Sequence, residues 1–229
     1  DETRRGKLSF AARRIWRGRR ADLEEIGVVN PPETMKPTPD YQQVTDTLFV
    51  WHDFNPDCKT DCSSTAVRTP QGFVLIDPIR LEEQALERMV GAGRVVAILL
   101  TSGNHLRGTP YEKERLDVPV LAPEGARRDV AADRWVMDGE VLFESLKAVA
   151  LPGGGPGETA YLTGNALILG DALINLDGLG ILPDKYCENS RLLRESLKVL
   201  PSLNFEIACF AHGLPIVEGA KAKISAVVG

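Results

Sequence analysis

No apolar run in this chain of 229 residues approaches the ~18 needed for a membrane-spanning helix. Nor is there a basic start, apolar stretch and small-residue cleavage site of the kind that marks a secretory signal. Cysteine is scarce: Cys58, Cys62, Cys187 and Cys209 are the four, and only the first two are close in sequence. That spread excludes a small disulfide-stapled scaffold and favours a reducing compartment, so a cytoplasmic location is the expectation. What remains, 43% hydrophobic and 26% charged, fits one globular domain with a sizeable core and some extra chain.

Acidic residues are almost missing from residues 1–20, where Asp1 and Glu2 face eight arginines and lysines. The segment carries a formal +6 on a chain of net charge -5, which leaves -11 on the rest. Leu8, Phe10, Ile15 and Trp16 interleave with those cations. Such a stretch docks on the acidic body of its own protein or of a sister subunit in a homo-oligomer, or lies on a membrane surface or nucleic acid. Pro31, Pro32, Pro37 and Pro39 then mark a linker, so residues 1–40 read as an arm and residues 41–229 as the domain.

From Thr47 the pattern is that of short strands. "TLFVWHDF" is followed by "STAVRTPQGFVLIDP", two apolar runs joined at Pro70 to Gly72 as a hairpin. "LEEQALERMVGAG" spaces Leu81, Ala85, Leu86 and Met89 as a helix ending in glycine, and "RVVAILLTS" is a buried strand. "VPVLAP" predicts a strand and "EGARRDVAADR" a polar helix. "SLKAVALPG" and "ETAYLTGNALILGDALI" resume strands, before the helix "SRLLRESLKVL", the strand "FEIACFAHG" and the closing helix "VEGAKAKISAVV". Hairpins mixed with crossover helices in both halves predict two sheets with helices outside.

Five landmarks stand in a telling order: "GFVLIDP", "ILLTSGNHLRGTP", "LPGGGPGETAYL", "LILGDALI" and "CFAHGLP". In this order they resemble the metallo-β-lactamase superfamily over about residues 45–228. The resemblance implies an α/β fold, an αββα four-layer sandwich of two mixed sheets, with the site where strand ends of both sheets meet. It also implies a loop Thr-His-x-His-x-Asp-His bearing most ligands of a one- or two-metal centre. Here Thr101 matches, but Ser102 and Asn104 take the first two histidine positions, Leu106 the aspartate and Arg107 the last histidine. The family's Pro-Gly-His is Pro152-Gly153-Gly154. Asp171 stands at the bridging aspartate and His212 at the last histidine, so these are the two surviving metal-ligand positions.

Zinc wants thiolate, imidazole or carboxylate, and leucine and arginine supply none of these. The first expectation is therefore a pseudoenzyme, without a bound metal, whose pocket takes a small anionic molecule through Ser102, Asn104, Arg107 and Asp77. Arg107 is expected to pair with Asp171 in the place of the ion. Thr109 and Glu112 have capping-box spacing, so a helix start behind the loop is expected to aim its amides at the same anion. His105 falls between the ligand positions and is expected to point away. The alternative is a hydrolase of an ester, thioester or lactam. In that case a rearranged loop lets His105 join Asp171 and His212, the catalytic set, around one zinc or iron ion. Cys58 and Cys62, a single Cys-x3-Cys pair near His52, Asp53 and Asp61, read as ordinary loop cysteines, and Cys209 as core. "LPGGGPG" lacks the Lys-Ser/Thr of a phosphate loop and reads as a turn shaping the pocket floor. Asp77 is expected to hold the loop backbone from beneath.

Overall fold

A computed structural model describes residues 36–56 and 59–229. The basic arm of residues 1–20, Pro31, Pro32 and Cys58 lie outside the described residues. A seven-stranded sheet takes up β1 (Gln42–Gln43), β2 (Leu48–Asn55), β3 (Thr60–Thr69), β4 (Gly72–Ile76), β5 (Val95–Leu99), β6 (Val120–Pro123) and β7 (Arg134–Val136), in that spatial order. Neighbours from β1 to β4 run antiparallel and those from β4 to β7 parallel. Two helices, α1 (Glu83–Val90) and α2 (Thr109–Leu116), belong to the parallel crossovers.

A second sheet holds β8 (Val141–Leu142), β9 (Leu146–Ala150), β10 (Thr159–Thr163), β11 (Ala166–Leu169) and β14 (Ile207–Phe210), in the order β14-β11-β10-β9-β8. Within it β11 and β14 are parallel and the rest antiparallel. A ribbon of β12 (Leu173–Asn175) and β13 (Leu179–Ile181) and the helices α3 (Ser190–Leu197) and α4 (Ala220–Val228) complete this half.

Period-two alternation divides the apolar side chains between layers. Leu48, Val50, Val74, Ile76, Ala97 and Leu99 meet Tyr161, Ile168, Ile207 and Cys209 between the two sheets. Their neighbours Phe49, Trp51, Phe73, Leu75 and Ile98 pack outward, against Ala85, Leu86 and Met89 of α1. On the far side Leu167, Leu169, Ala208 and Phe210 pack against Leu193 and Leu197 of α3 and Ile224 of α4. The result is the αββα sandwich of two mixed sheets. No helix among the described residues is long and apolar enough to cross a membrane.

One sequence expectation fails in this region. The polar helix predicted for "EGARRDVAADR" is a single 3-10 turn, Glu124–Ala126, followed by irregular chain. The segment has no apolar stripe to pay for helix formation, and Gly125 lies so close to Gly157 that a Cβ there would meet the Gly157 Cα at 2.7 Å.

Candidate functional site

Parallel pairing puts strand ends of like direction at one edge, and four chemically distinctive residues sit just beyond such ends. Asp77 follows β4, the loop carrying His105 follows β5, Asp171 follows β11 and His212 follows β14. β4 pairs with β5 and β11 with β14, so each sheet contributes two of the four. The sheets are joined at this edge, where Ser63 N–H donates to Ala211 O at 2.8 Å.

Asp77 holds the loop from beneath, as its place at the end of "FVLID" predicts. Its Oδ1 accepts from Thr101 N–H at 2.8 Å and its Oδ2 from the Thr101 hydroxyl at 2.5 Å. The same Oδ2 lies 2.9 Å from His105 Nδ1, which also stands 2.8 Å from Thr101 Oγ1. Carboxylate oxygen can only accept, so His105 Nδ1 carries the hydrogen and Nε2 is turned forward, 3.1 Å from Asp171 Oδ1. His212 is held the same way, its Nδ1 donating to Asp61 O at 2.7 Å and its Nε2 3.3 Å from the same Asp171 oxygen. His105 is 3% exposed, whereas Asp171 at 15% and His212 at 16% leave one face of the cluster open.

His105 therefore does not point away from the site; the structure brings it together with Asp171 and His212. The ligand atoms of the three lie within 4.8 Å of one another. A turn closed by His105 N–H to Ser102 O, with Arg107 at φ +39°, redirects the loop, so counting along the linear motif misplaces the imidazole.

Arg107 also departs from expectation. Among the described residues it makes no ion pair with Asp171. Its Nη1 donates to Ser63 O at 2.6 Å and Asp77 O at 3.4 Å, and its Nη2 to Ala211 O at 3.0 Å. Nη2 also stands 3.4 Å from His212 Nε2. The guanidinium is thus a tie between the two sheets. The helix start is no free anion cradle either, because Gly108 N–H is used by Pro78 O and Thr109 N–H by Leu106 O. The capping box is not made: α2 has Gly108 at its N-cap, and Glu112 turns to Arg115 at 2.5 Å.

Ser102 is buried and Asn104 exposed, and both stand against the glycine loop. A Cβ on Gly155 would lie 2.7 Å from Asn104 Nδ2 and 2.7 Å from Ser102 Oγ. One on Gly154 would lie 3.2 Å from Glu158 Cγ. Ser102, Asn104 and Gly154, which the resemblance set at ligand positions, therefore close on the glycine loop or on Glu158 as packed protein. The loop 152–157 packs against Ser102, Asn104 and Glu158.

Glu158 is the residue that sequence reasoning missed; its one signal was a charge opening the apolar strand "TAYLT". It is 1% exposed, with Oε1 accepting from Ala172 N–H at 3.1 Å and Oε2 from Gly155 N–H at 3.4 Å. Burial, reinforced by the Asp171 carboxylate, pushes its pKa up to about 8. Burial opposes the charge of His105 as well, yet Asp171, and behind it Asp77, lift that imidazole to about 10 against the repulsion of Arg107. For Asp77 and Asp171, burial is outweighed by His105 first of all, so both carboxyls stay below the usual carboxylate value, Asp171 well below it.

A neutral Glu158 makes its amide a fair replacement. Glu158→Gln is expected to gain on the parent in thermal midpoint from pH 5 to pH 8. The folded parent must hold a proton that its unfolded chain releases above 4.5. Paired melting curves check this, and a difference independent of pH would mean that Glu158 is ionised throughout.

A family model of the metallo-β-lactamase superfamily matches residues 43–219. The chain belongs to this superfamily. Its fold is similar to that of a metallo-β-lactamase from Pontibacter korlensis, at a TM-score of 0.65 and 13% identity over 83% of this chain and 99% of that one. ETHE1 from Myxococcus xanthus is similar at 0.53 and 22% identity, covering 72% and 76%. A protein named TTHA1623, in a di-iron-bound form, is similar at 0.57 and 28% identity, covering 76% and 98%. No curated protein matches the sequence. Among the described residues, His105, Asp171 and His212 are the group of three donors that could hold a metal ion.

Proposed function

We propose that this chain is a single-metal hydrolase of the superfamily, holding one zinc or iron ion between His105 Nε2, Asp171 Oδ1 and His212 Nε2 and acting on an ester, thioester or lactam. The observation that carries it is the fixed direction of both imidazoles. Each Nδ1 is committed to an acceptor, so both Nε2 atoms converge on one carboxylate oxygen at 3.1 and 3.3 Å. Ligand atoms around a tetrahedral ion at about 2.0–2.1 Å stand about 3.3 Å apart, which the two N···O separations match, and all three atoms lie within 4.8 Å of one another. Two imidazoles and a carboxylate with an open side suit zinc or iron(II). The di-iron form of the relative at 28% identity supports iron beside zinc.

When bound, such an ion supplies a water of lowered pKa and polarises a carbonyl oxygen. The chain's own residues prepare that place. Asp77 fixes the His105 ring from behind and Asp61 O fixes His212, the supporting bonds that hold metal-binding imidazoles in one tautomer. The exposed side of Asp171 and His212 gives a substrate its approach, while the fixed cation of Arg107 favours negative charge developing there.

A second reading is favoured by the charge count. His105 as imidazolium and Arg107 balance the Asp77 and Asp171 carboxylates without any ion, as in a pseudoenzyme whose open face takes a small anion. One experiment separates the two. Protein purified without chelator, or supplied with zinc or anaerobic iron(II), is expected to bind close to one ion per chain by elemental analysis, and His212→Ala to lose it. A chain that takes up neither metal would establish the metal-free reading instead.

A further inference from the structure

We infer that Arg107 sets the metal affinity of this site low, by holding a guanidinium against the His212 nitrogen that an ion must take. The inference rests on the single-metal reading and adds to it that the ion is exchangeable rather than permanently held. Arg107 Nη2 stands 3.4 Å from His212 Nε2. Guanidinium nitrogens donate and never accept, so with His212 Nδ1 donating to Asp61 O this contact is a hydrogen bond only where Nε2 carries no hydrogen toward Asp171 Oδ1, 3.3 Å away. The lone pair it then meets is the one an ion would take. An ion arriving at His212 therefore displaces this contact and lies beside a permanent positive charge.

The guanidinium cannot simply swing aside. Its other hydrogen bonds go to Ser63 O and Asp77 O in the first sheet and to Ala211 O in the second. The residue is held at φ +39°, a backbone conformation that arginine adopts only when its surroundings enforce it. The tie that joins the sheets is thus the same group that competes with the ion, and occupancy of the site follows the free metal concentration.

The inference predicts a sign that a purely structural tie does not. Arg107→Gln and Arg107→Met remove the charge, and both are expected to bind zinc at least about tenfold more tightly than the parent by isothermal titration calorimetry. Their thermal midpoints in chelator are expected to fall, since the carbonyl ties are lost. Were Arg107 only a brace for His212, the same variants would bind zinc more weakly; equal or weaker binding overturns the inference and leaves the single-metal reading standing. If neither parent nor variants bind zinc or anaerobic iron(II), both fall.

A measurement on the parent protein needs no variant. The 15N spectrum of histidine in the metal-free chain is expected to show His212 protonated at Nδ1, with Nε2 accepting a hydrogen bond. A hydrogen on His212 Nε2 overturns the inference, because the guanidinium would then face no lone pair.

Discussion

Asp171→Ala is expected to lower zinc affinity by at least about 100-fold and, in chelator, to lower the thermal midpoint by roughly 10 °C. The metal loss follows from the geometry, for Asp171 Oδ1 is the one atom that both imidazoles face, at 3.1 and 3.3 Å. The loss of stability has a separate cause. Asp171 is the leading reason that His105 keeps its proton in a buried place. Removing one partner of a buried charge pair costs about 3–5 kcal/mol, because the other charge stays behind unpaired. His105 has only 3% exposure, so in the parent its charge is compensated by protein groups rather than by water. Asp171→Asn should fall between the two, keeping an acceptor oxygen without the charge. Calorimetric titration and melting curves of the three proteins check both effects. An unchanged midpoint in chelator would mean that His105 is neutral in the folded chain.

The sandwich was legible because its cause is local. Alternation in "GFVLID", "VVAIL" and "IACF" sorts side chains between two layers whatever the loops do, and the strand ends then place Asp77, Asp171 and His212. The site loop was not legible, for two physical reasons. Counting along "TSGNHLRGTP" assumes a constant backbone path, whereas the turn at Ser102 to His105 and the positive φ of Arg107 change which side chain faces the opposite sheet. And the partners of Arg107 are the carbonyls of Ser63, Asp77 and Ala211, groups that every residue carries and no side-chain motif reveals. Reading Arg107 as the mate of Asp171 matched charge to charge, which is sound for side chains but blind to main-chain acceptors. Glu158 escaped for a related reason, since both of its hydrogen bonds run to backbone amides.

In the metal-free protein, stability is expected to fall as pH rises from 6.5 toward 10. His105 has its folded pKa raised from 6.5 to about 10, so its contribution is complete below 6.5 and is lost as pH passes through 10. Glu158 acts in the same direction over a lower window, because its folded pKa is raised from 4.5 to about 8 and ionising it burdens the folded state. Asp77 and Asp171 act at the other end. Their folded pKa values lie below 3.8, so their contribution is present above that pH and lost as pH falls through the folded values. Among these four groups the loss is steepest between 6.5 and 8, where His105 and Glu158 both contribute. Each proton retained only by the folded chain contributes at most about 1.4 kcal/mol per pH unit. That is roughly 3–5 °C in midpoint for a domain of this size, and twice that where two groups act together. His105→Gln should flatten the curve between pH 8 and 10 while leaving the Glu158 limb below it. Saturating zinc should do so too, since an ion on His105 Nε2 takes the place of its proton and binds better as protons become scarce. Melting curves in chelator from pH 4 to 10 decide the matter; a midpoint constant from 6.5 to 10 would mean that no proton sits between His105 and Asp171, and the site's charge would then have to come from an ion.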